Sequence, residues 1–252
     1  MHPFAAEFVG TMMLILFGNG VVANVLLKKT NGAQAGWMVI CAGWGIAVYI
    51  GAICAQEISG AHLNPAVTLA MFLNDEIGVW DSLGYATSQM LGAALGAGLV
   101  YAFYREHFHL TKDQDAKLGC FANTPVVRNF GQAFFCEVIG TFALVLPVFL
   151  MTKPSLILTA SQAGDAPVMG LGSIGALPVG LLVFGIGLSL GGTTGYAINP
   201  ARDLAPRIMH ALLPIPNKRD SDWSYSWIPV AGPLVGAVLA VAVFRALGWF
   251  SI

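Results

Sequence analysis

Charged residues are scarce in this sequence. Asp, Glu, Lys and Arg together make up 10% of the 252 residues, whereas 56% are hydrophobic and the mean hydropathy is +0.72. Because typical soluble domains carry about 25% charged residues, this composition excludes a soluble protein. The formal net charge of −1 also gives no indication of the strong positive charge that nucleic-acid binding proteins carry. We therefore expect no nucleic acid as a partner.

Cysteine is scarce as well. Cys41, Cys54 and Cys136 lie in apolar segments, and the fourth cysteine, Cys120, lies in a loop. Their spacing matches neither a disulfide framework nor a metal-binding motif, so we interpret them as small apolar core residues. The sequence also lacks an evident pairing of a nucleophile with a base or of metal ligands. It therefore predicts neither an enzyme nor a cofactor.

Long apolar segments, in contrast, are abundant. A helix needs about 20 apolar residues to cross a hydrocarbon core of about 30 Å, and six segments reach that length: 4–27, 36–56, 82–104, 130–151, 176–192 and 227–250. The first is not a cleavable signal, because it is long, has no basic flank and contains Glu7. We predict an all-α membrane protein that leaves little chain for any soluble domain.

The chain repeats itself. Residues 6–11 (AEFVGT) resemble residues 136–141 (CEVIGT), and the tripeptide Asn-Pro-Ala occurs at 64–66 and again at 199–201. These matches predict two copies of one unit, at 1–108 and 128–252, within a single channel domain 1–252. Each copy contributes three spans, which is an odd number, so the second copy must enter the membrane from the opposite face. The result is an inverted repeat.

Each Asn-Pro-Ala tripeptide predicts the start of a helix. Asparagine is a strong N-cap, and proline is favoured at the first helical position. The predicted half-helices, 65–74 and 200–212, are too short to span; ten residues reach about 15 Å, half of the core. They begin with the following residues: Asn64, Pro65, Ala66, Asn199, Pro200 and Ala201. Entering from opposite faces, they meet near the midplane and replace a seventh span.

The chemistry of such a meeting point suits neutral solutes. The asparagine oxygens cap the helices, which leaves the amide NH2 groups of Asn64 and Asn199 to face a lumen. Helix N-termini add partial positive charge that opposes cations. The non-helical backbone before each half-helix supplies carbonyl acceptors for solute hydroxyls, from these residues: Gly60, Ala61, His62, Gly195, Tyr196 and Ala197. The sequence therefore predicts a pore for uncharged hydrogen-bonding molecules.

Charged residues inside the apolar segments are expected to be functional. We interpret Arg202 as a donor fork that also repels cations; a structural ion pair with Asp203 is the alternative. Glu7 and Glu137 occupy equivalent places in the two copies, and we expect each carboxylate to accept N–H groups from its own re-entrant loop. A proton-relay role for these two is the alternative. His62 is expected to orient its loop rather than to bind a metal.

These motifs strongly resemble the major intrinsic protein family, the aquaporins and glycerol facilitators. The resemblance covers nearly the whole chain and rests on residues 59–68 (SGAHLNPAVT) and 195–203 (GYAINPARD). It implies six spans with two re-entrant half-helices, no cofactor, a homotetramer and a location in the plasma membrane. Within the family, the glycerol-conducting branch is favoured by Asp203 after Arg202, by Arg207, by Pro229-Val230, and by Trp44, which lies 20 residues before Asn64.

The resemblance also implies a selectivity filter, formed by Trp44, Gly187, Tyr196 and Arg202. Water-selective members carry histidine at the position of Gly187, and we expect the glycine to leave room for a carbon chain. Tyr196 stands where glycerol facilitators usually have phenylalanine. We expect its hydroxyl to extend the solute list to dihydroxyacetone and undissociated lactic acid. Glu57 is a second departure from the family pattern, and the sequence assigns it no role.

The predicted function is a passive channel for glycerol, water and other small neutral solutes that excludes ions and protons. A water-selective aquaporin and a proton-coupled secondary transporter remain as alternatives. The resemblance places both termini in the cytoplasm, yet nine lysines and arginines would then lie in outer loops and two, Lys153 and Arg245, inside. This count contradicts the positive-inside tendency. The sequence assigns no role to the loops 106–127 and 152–175.

Overall fold

The computed structural model describes residues 1–152, 155–157, 168–170 and 172–248. Within these residues it is a bundle of helices, and six of them are long and apolar enough to cross a membrane. The spans are α1 (Pro3–Leu26), α2 (Trp37–Ser59), α4 (Val79–Phe103), α7 (Phe130–Leu150), α8 (Leu177–Leu190) and α10 (Ile228–Ala246). A 3₁₀ turn, Gly172–Ala176, precedes α8 and lengthens it. The predicted all-helical membrane class is confirmed.

The remaining helices are short. They are α3 (Pro65–Leu73), α5 (Arg105–Leu110), α6 (Gln114–Gly119) and α9 (Pro200–Leu212). The predicted half-helix 65–74 ends one residue earlier, because Asn74 leaves helical geometry as the C-cap. The predicted sixth span reaches 250, but α10 ends at Ala246, and residues 249–252 lie outside the described part of the chain.

The loop 152–175 contains one feature that the sequence analysis missed. Strands β1 (Ser155–Ile157) and β2 (Val168–Gly170) pair antiparallel, with Ser155 opposite Gly170. Residues 153–154, 158–167 and 171 of this loop, which include Lys153, lie outside the described part of the chain. Three-residue strands carry too weak a period-2 pattern to be recognised in an apolar sequence.

The two halves of the chain interlock. In the first half α1 packs against α2 and α4, and in the second α7 packs against α10. Each half-helix contacts the last span of the opposite half: α3 packs on α10, and α9 packs on α4. The start of each half-helix is therefore positioned by both halves.

Glycines permit the closest of these helix contacts. A Cβ atom on Gly92 of α4 would collide with the Phe8 carbonyl oxygen of α1, and one on Gly236 of α10 would collide with the Val138 carbonyl oxygen of α7. In lipid, helices associate through van der Waals packing, and small residues let their backbones approach. The small residues at these two positions therefore serve packing within the chain.

Candidate functional site

The two half-helices begin with the same cap. The Asn64 side-chain oxygen accepts a hydrogen bond from the Ala66 amide at 2.8 Å, and that of Asn199 accepts from the Ala201 amide at 2.9 Å. Proline follows each asparagine at the first helical position. The Asn199 oxygen also accepts from the Arg202 amide at 3.2 Å, so the first cap satisfies one and the second cap two of the N–H groups that a helix start leaves without a partner.

The amide NH2 groups of these asparagines are not left over, in contrast to the expectation from sequence. Asn64 Nδ2 donates to the Ile198 carbonyl at 2.8 Å, and Asn199 Nδ2 donates to the Leu63 carbonyl at 2.8 Å. The reason is that a buried carbonyl requires a donor, and the opposite half supplies it. One N–H of each amide remains for the lumen, which both asparagines line.

The loop before each half-helix has strained backbone. Ala61 and Leu63 have φ values of 53° and 51°, and Tyr196 and Ile198 have 43° and 44°. This left-handed region costs about 1–2 kcal/mol per residue for a side chain other than glycine. In each loop the two strained residues are separated by one residue, His62 or Ala197, that is not among those with positive φ. Other groups must hold the loops in this form.

Glu7 holds the first loop. Its carboxylate is fully buried and accepts hydrogen bonds from the His62 amide at 2.9 Å and the Leu63 amide at 2.7 Å. It also accepts from the Ser59 hydroxyl at 2.6 Å and from the Gln89 amide at 2.8 Å. Sequence reasoning missed Ser59 and Gln89, although a glutamine inside an apolar span is a visible signal.

Glu137 holds the second loop in the corresponding way. It accepts hydrogen bonds from the Ala197 amide at 3.0 Å, the Ile198 amide at 2.8 Å and the Thr194 hydroxyl at 2.7 Å. Neither this carboxylate nor that of Glu7 is among the groups that line the cavities described below. Both carboxylates therefore accept hydrogen bonds from the loop of their own half and do not line either cavity.

His62 contacts its own half-helix. Its ring Nδ1 lies 3.1 Å from the Thr68 hydroxyl, and its ring meets the Tyr85 ring edge-on with centroids 5.0 Å apart. The Tyr85 hydroxyl in turn donates to the Ser59 carbonyl at 3.0 Å. These contacts orient the loop, and the described residues include no cluster of metal ligands.

Two cavities meet at this site. The pore cavity, of about 120 Å³, has an apolar wall that includes Leu14, Val48 and Val183, and a polar wall formed by the two asparagines and the loop backbone. The vestibule, of about 580 Å³, lies next to it. Both cavities are lined by the same three side chains: Trp44, Tyr196 and Arg202. These three therefore form the boundary between the cavities.

The predicted backbone acceptors divide between the two cavities. Gly60, Ala61, His62 and Ala197 line the pore cavity, whereas Gly195 lines the vestibule. The Gly195 carbonyl already accepts a hydrogen bond from the Asn123 amide at 2.8 Å. A carbonyl oxygen has two lone pairs, so Gly195 keeps one of them for a solute. The continuous ladder expected from sequence is thus partly used by the protein itself.

Arg202 faces Trp44 at the boundary. Its guanidinium carbon lies 4.2 Å from the centre of the Trp44 ring, within the range of a cation–π contact. The buried Nη1 atom finds no hydrogen-bond partner among the described residues. The alternative of an ion pair with Asp203 is not what the structure shows, because Asp203 pairs with Arg207 at 2.8 Å.

Gly187 does not line either cavity, which corrects the expectation that it makes room for a solute. A Cβ atom at this position would lie 2.8 Å from the Tyr196 ring and hydroxyl and 3.0 Å from the Cys41 sulfur. The space that the glycine leaves is therefore filled by Tyr196. The Tyr196 hydroxyl is buried beside the Cys41 thiol, a weak hydrogen-bonding group, and has no ordinary hydrogen bond in the described part of the chain.

A buried clamp holds the loops next to the filter. Arg207 is fully buried and donates to Asp203 at 2.9 Å, to the Asn123 carbonyl at 2.7 Å and to the Ser221 carbonyl at 2.7 Å. The backbone N–H of Asn123 donates to the other Asp203 oxygen at 2.7 Å. Sequence reasoning noted Arg207 but missed Asn123, which lies in a loop to which it assigned no role. Glu57 is exposed near the end of α2, and the structure suggests no function for it.

The chain is similar to known proteins over nearly its whole length. The sequence profile of the major intrinsic protein family matches residues 1–244. A probable glycerol uptake facilitator protein from Thermotoga maritima is 48% identical, covering 97% of this chain and 99% of that protein. A D/L-lactic acid transporter from Lactiplantibacillus plantarum is 36% identical over 100% and 99% of the two chains. The solved aquaglyceroporin from Plasmodium falciparum superposes with a TM-score of 0.77 at 30% identity, covering 96% and 93%.

Proposed function

The chain belongs to the major intrinsic protein family, and from this membership and the geometry of its pore we propose that it is a passive channel for glycerol. It is a multi-pass membrane protein, and its relatives are named for glycerol uptake. Water and other small neutral solutes share the same path. We infer transport rather than catalysis as its activity.

The observation that carries this proposal is the composition of the boundary between the two cavities. A polyol has a carbon edge and a hydroxyl edge. The rings of Trp44 and Tyr196 offer apolar surface to the first, and the Arg202 guanidinium offers hydrogen-bond donors to the second. Past this point, loop carbonyls and the two asparagine amides replace the water that a hydroxyl gives up.

Exclusion of cations follows from the same arrangement. Arg202 carries a positive charge at the boundary, and the N-termini of α3 and α9 add roughly half a charge each at the asparagines. A cation meets repulsion at both places and finds no carboxylate among the described residues that line the pore cavity; Asp113 and Asp115 line only the vestibule. A neutral hydroxyl instead uses its oxygen as an acceptor there.

The rival of a proton-coupled transporter lacks support. It needs an ionisable group in the path that changes charge, and Glu7 and Glu137 are fully buried behind the loops, with four and three hydrogen-bond donors around them. A water-selective channel is also disfavoured, because the filter presents two aromatic side chains rather than polar groups alone.

Uptake by liposomes tests the proposal. We expect purified protein to raise the glycerol permeability of liposomes, measured by stopped-flow light scattering. The rate of uptake should increase linearly with the glycerol gradient and should not depend on a pH difference across the membrane. Gly187→Ala is the test variant: its new methyl group meets the Tyr196 ring and hydroxyl and displaces them into the passage, so it is expected to lower glycerol permeability about tenfold more than water permeability, or ~1.4 kcal/mol. Saturable uptake driven by protons, or permeability to water alone, would contradict the proposal.

Tyr196→Phe is now expected to leave the solute ranking unchanged, in contrast to the expectation from sequence that this hydroxyl extends the solute list. The hydroxyl lies behind the ring, against Gly187 and Cys41, and does not reach the passage. Removing an unsatisfied buried group should stabilise the protein by about 1 kcal/mol, measured as a higher melting temperature in detergent. The matched control is Tyr101→Phe, which loses a hydrogen bond of 2.9 Å to the Pro214 carbonyl and should be less stable. A changed ranking of glycerol, dihydroxyacetone and lactic acid would refute this placement of the hydroxyl.

We propose that dihydroxyacetone and undissociated lactic acid also pass. Both are small, neutral and rich in hydrogen-bonding oxygens, which is what the boundary selects. The name of the Lactiplantibacillus plantarum relative supports the second solute. The lactate anion is not expected to pass the pore, because a charged solute would lose hydration that carbonyl oxygens cannot replace. Uptake should therefore rise as the pH falls toward the pKa of lactic acid.

We propose the plasma membrane as the location, with both termini in the cytoplasm and a homotetrameric assembly. The excess of basic residues in the outer loops does not oppose this orientation, because several of them have local structural partners. Lys218 donates to the carbonyls that end α9, Lys117 donates to the Pro216 carbonyl, and Arg128 pairs with Asp222. Burial lowers the pKa values of both lysines.

A further inference from the structure

Trp37 lies behind the filter wall and contacts it at two points. It is the first residue of α2, and its ring meets the Tyr196 ring edge-on, with centroids 5.8 Å apart and planes at 85°. Its indole N–H donates to the Gly187 carbonyl at 3.1 Å. The first contact is with the ring that borders the passage, and the second is with the helix that supports this ring.

The Gly187 carbonyl belongs to the last turn of α8. The last four carbonyls of a helix have no partner within it, and Trp37 supplies one from outside. The same turn carries Gly187 and Gly191, on which the Tyr196 ring lies: a Cβ atom on Gly191 would collide with that ring and lie 2.9 Å from the Trp37 ring. We name the surface of Gly187 and Gly191 the glycine ledge.

Tyr196 is therefore enclosed between the glycine ledge and Trp37. Its hydroxyl forms no ordinary hydrogen bond among the described residues that would hold it in place, and its φ of 43° is strained. Its position depends on packing, and Trp37 is the large side chain that supplies this packing on the vestibule side, where it lines the cavity with 40% of its surface exposed. The exposed vestibule gives the ring space to move if Trp37 is removed.

We propose that Trp37 is a positioning residue that sets the width of the filter by holding Tyr196 against the glycine ledge. The inference rests on the proposed glycerol channel and adds a determinant of solute size to it. An interfacial tryptophan that only anchors the helix in the membrane would leave the solute ranking unchanged. Solute size selection is thus the readout that separates the two roles.

The experiment compares glycerol with erythritol, a polyol one carbon longer, in liposomes that contain the full chain. For Trp37→Ala we expect the erythritol-to-glycerol permeability ratio to rise about three- to tenfold, the range that loss of an aromatic pair represents. Trp37→Phe keeps an aromatic edge and should restore most of the ratio. Trp80→Ala is the matched control, because Trp80 on α4 is 81% exposed and does not line either cavity. It should behave as the parent.

A double-mutant cycle tests the pathway through Tyr196. In a Tyr196→Ala background, Trp37→Ala should have no further effect on the ratio; additive effects would overturn the inference. If Trp37→Ala does not fold, Trp37→Leu and Trp37→Phe replace it, and the inference requires the ratio to change with leucine and not with phenylalanine. A parent that conducts glycerol together with unchanged Trp37 variants refutes only this inference. A parent that does not conduct glycerol refutes the proposed function.

Discussion

Arg207→Met is expected to abolish the folded channel. The substitution leaves the Asp203 carboxylate buried without its cation, and breaking a buried ion pair from one side costs about 3–5 kcal/mol. It also removes the donors to the Asn123 and Ser221 carbonyls, which are part of the loops beside the filter. A loss of this size is a large fraction of the stability of an ordinary domain.

Size-exclusion chromatography of detergent extracts, with a temperature ramp, measures this loss. The matched control is Arg219→Met, which breaks an exposed pair with Asp115 and should cost about 0–1 kcal/mol. The double variant Asp203→Asn/Arg207→Met should recover part of the stability, because no buried charge remains. If Arg207→Met melts at the same temperature as Arg219→Met, the clamp is not a determinant of the fold.

The second large effect is expected for Glu7→Leu and Glu137→Leu. Each substitution leaves two backbone N–H groups of a strained loop without an acceptor, at about 1–3 kcal/mol for each group. Without these hydrogen bonds nothing offsets the strain of the left-handed residues in the loop. We therefore expect the loop to relax and its carbonyls to turn away from the lumen. We expect loss of folded protein, and loss of conduction in any protein that remains.

The two positions should also differ from each other. Glu7 has four donors and Glu137 has three, so Glu7→Leu should be the more damaging of the pair. Gln variants retain one acceptor oxygen and should lie between leucine and the parent. Glu57→Leu is the matched control, because this carboxylate is exposed on α2. Glycerol uptake and melting temperature equal to the parent in Glu7→Leu would show that the carboxylate is dispensable.

Much of this architecture was predicted correctly from the sequence, for identifiable reasons. Span length and hydropathy can be read from each stretch of sequence by itself, so the six spans were found within a few residues of their ends. The half-helix starts depend on an asparagine and the two or three residues after it, a range within which local rules hold. The family itself followed from the two Asn-Pro-Ala motifs with Arg202 after the second.

The errors concern side chains whose partners are distant in sequence. The amide of Asn64 appeared free because its acceptor, the Ile198 carbonyl, belongs to the opposite half of the chain. Gly187 appeared to widen the filter because nothing near it in the sequence indicates that Tyr196 occupies its space. Asn123 was missed because its partners, Gly195 and Asp203, follow more than 70 residues later.

The sequence by itself determined that the chain spans a membrane and that two asparagine-capped half-helices begin at the Asn-Pro-Ala motifs, and it predicted that the chain consists of two similar units. These properties follow from hydropathy, from repetition and from hydrogen bonds within a single turn. Only the tertiary structure decided which side chains border the passage and which polar groups remain free for a solute. The physical reason is that both depend on how the two halves fill each other's space and satisfy each other's buried donors and acceptors.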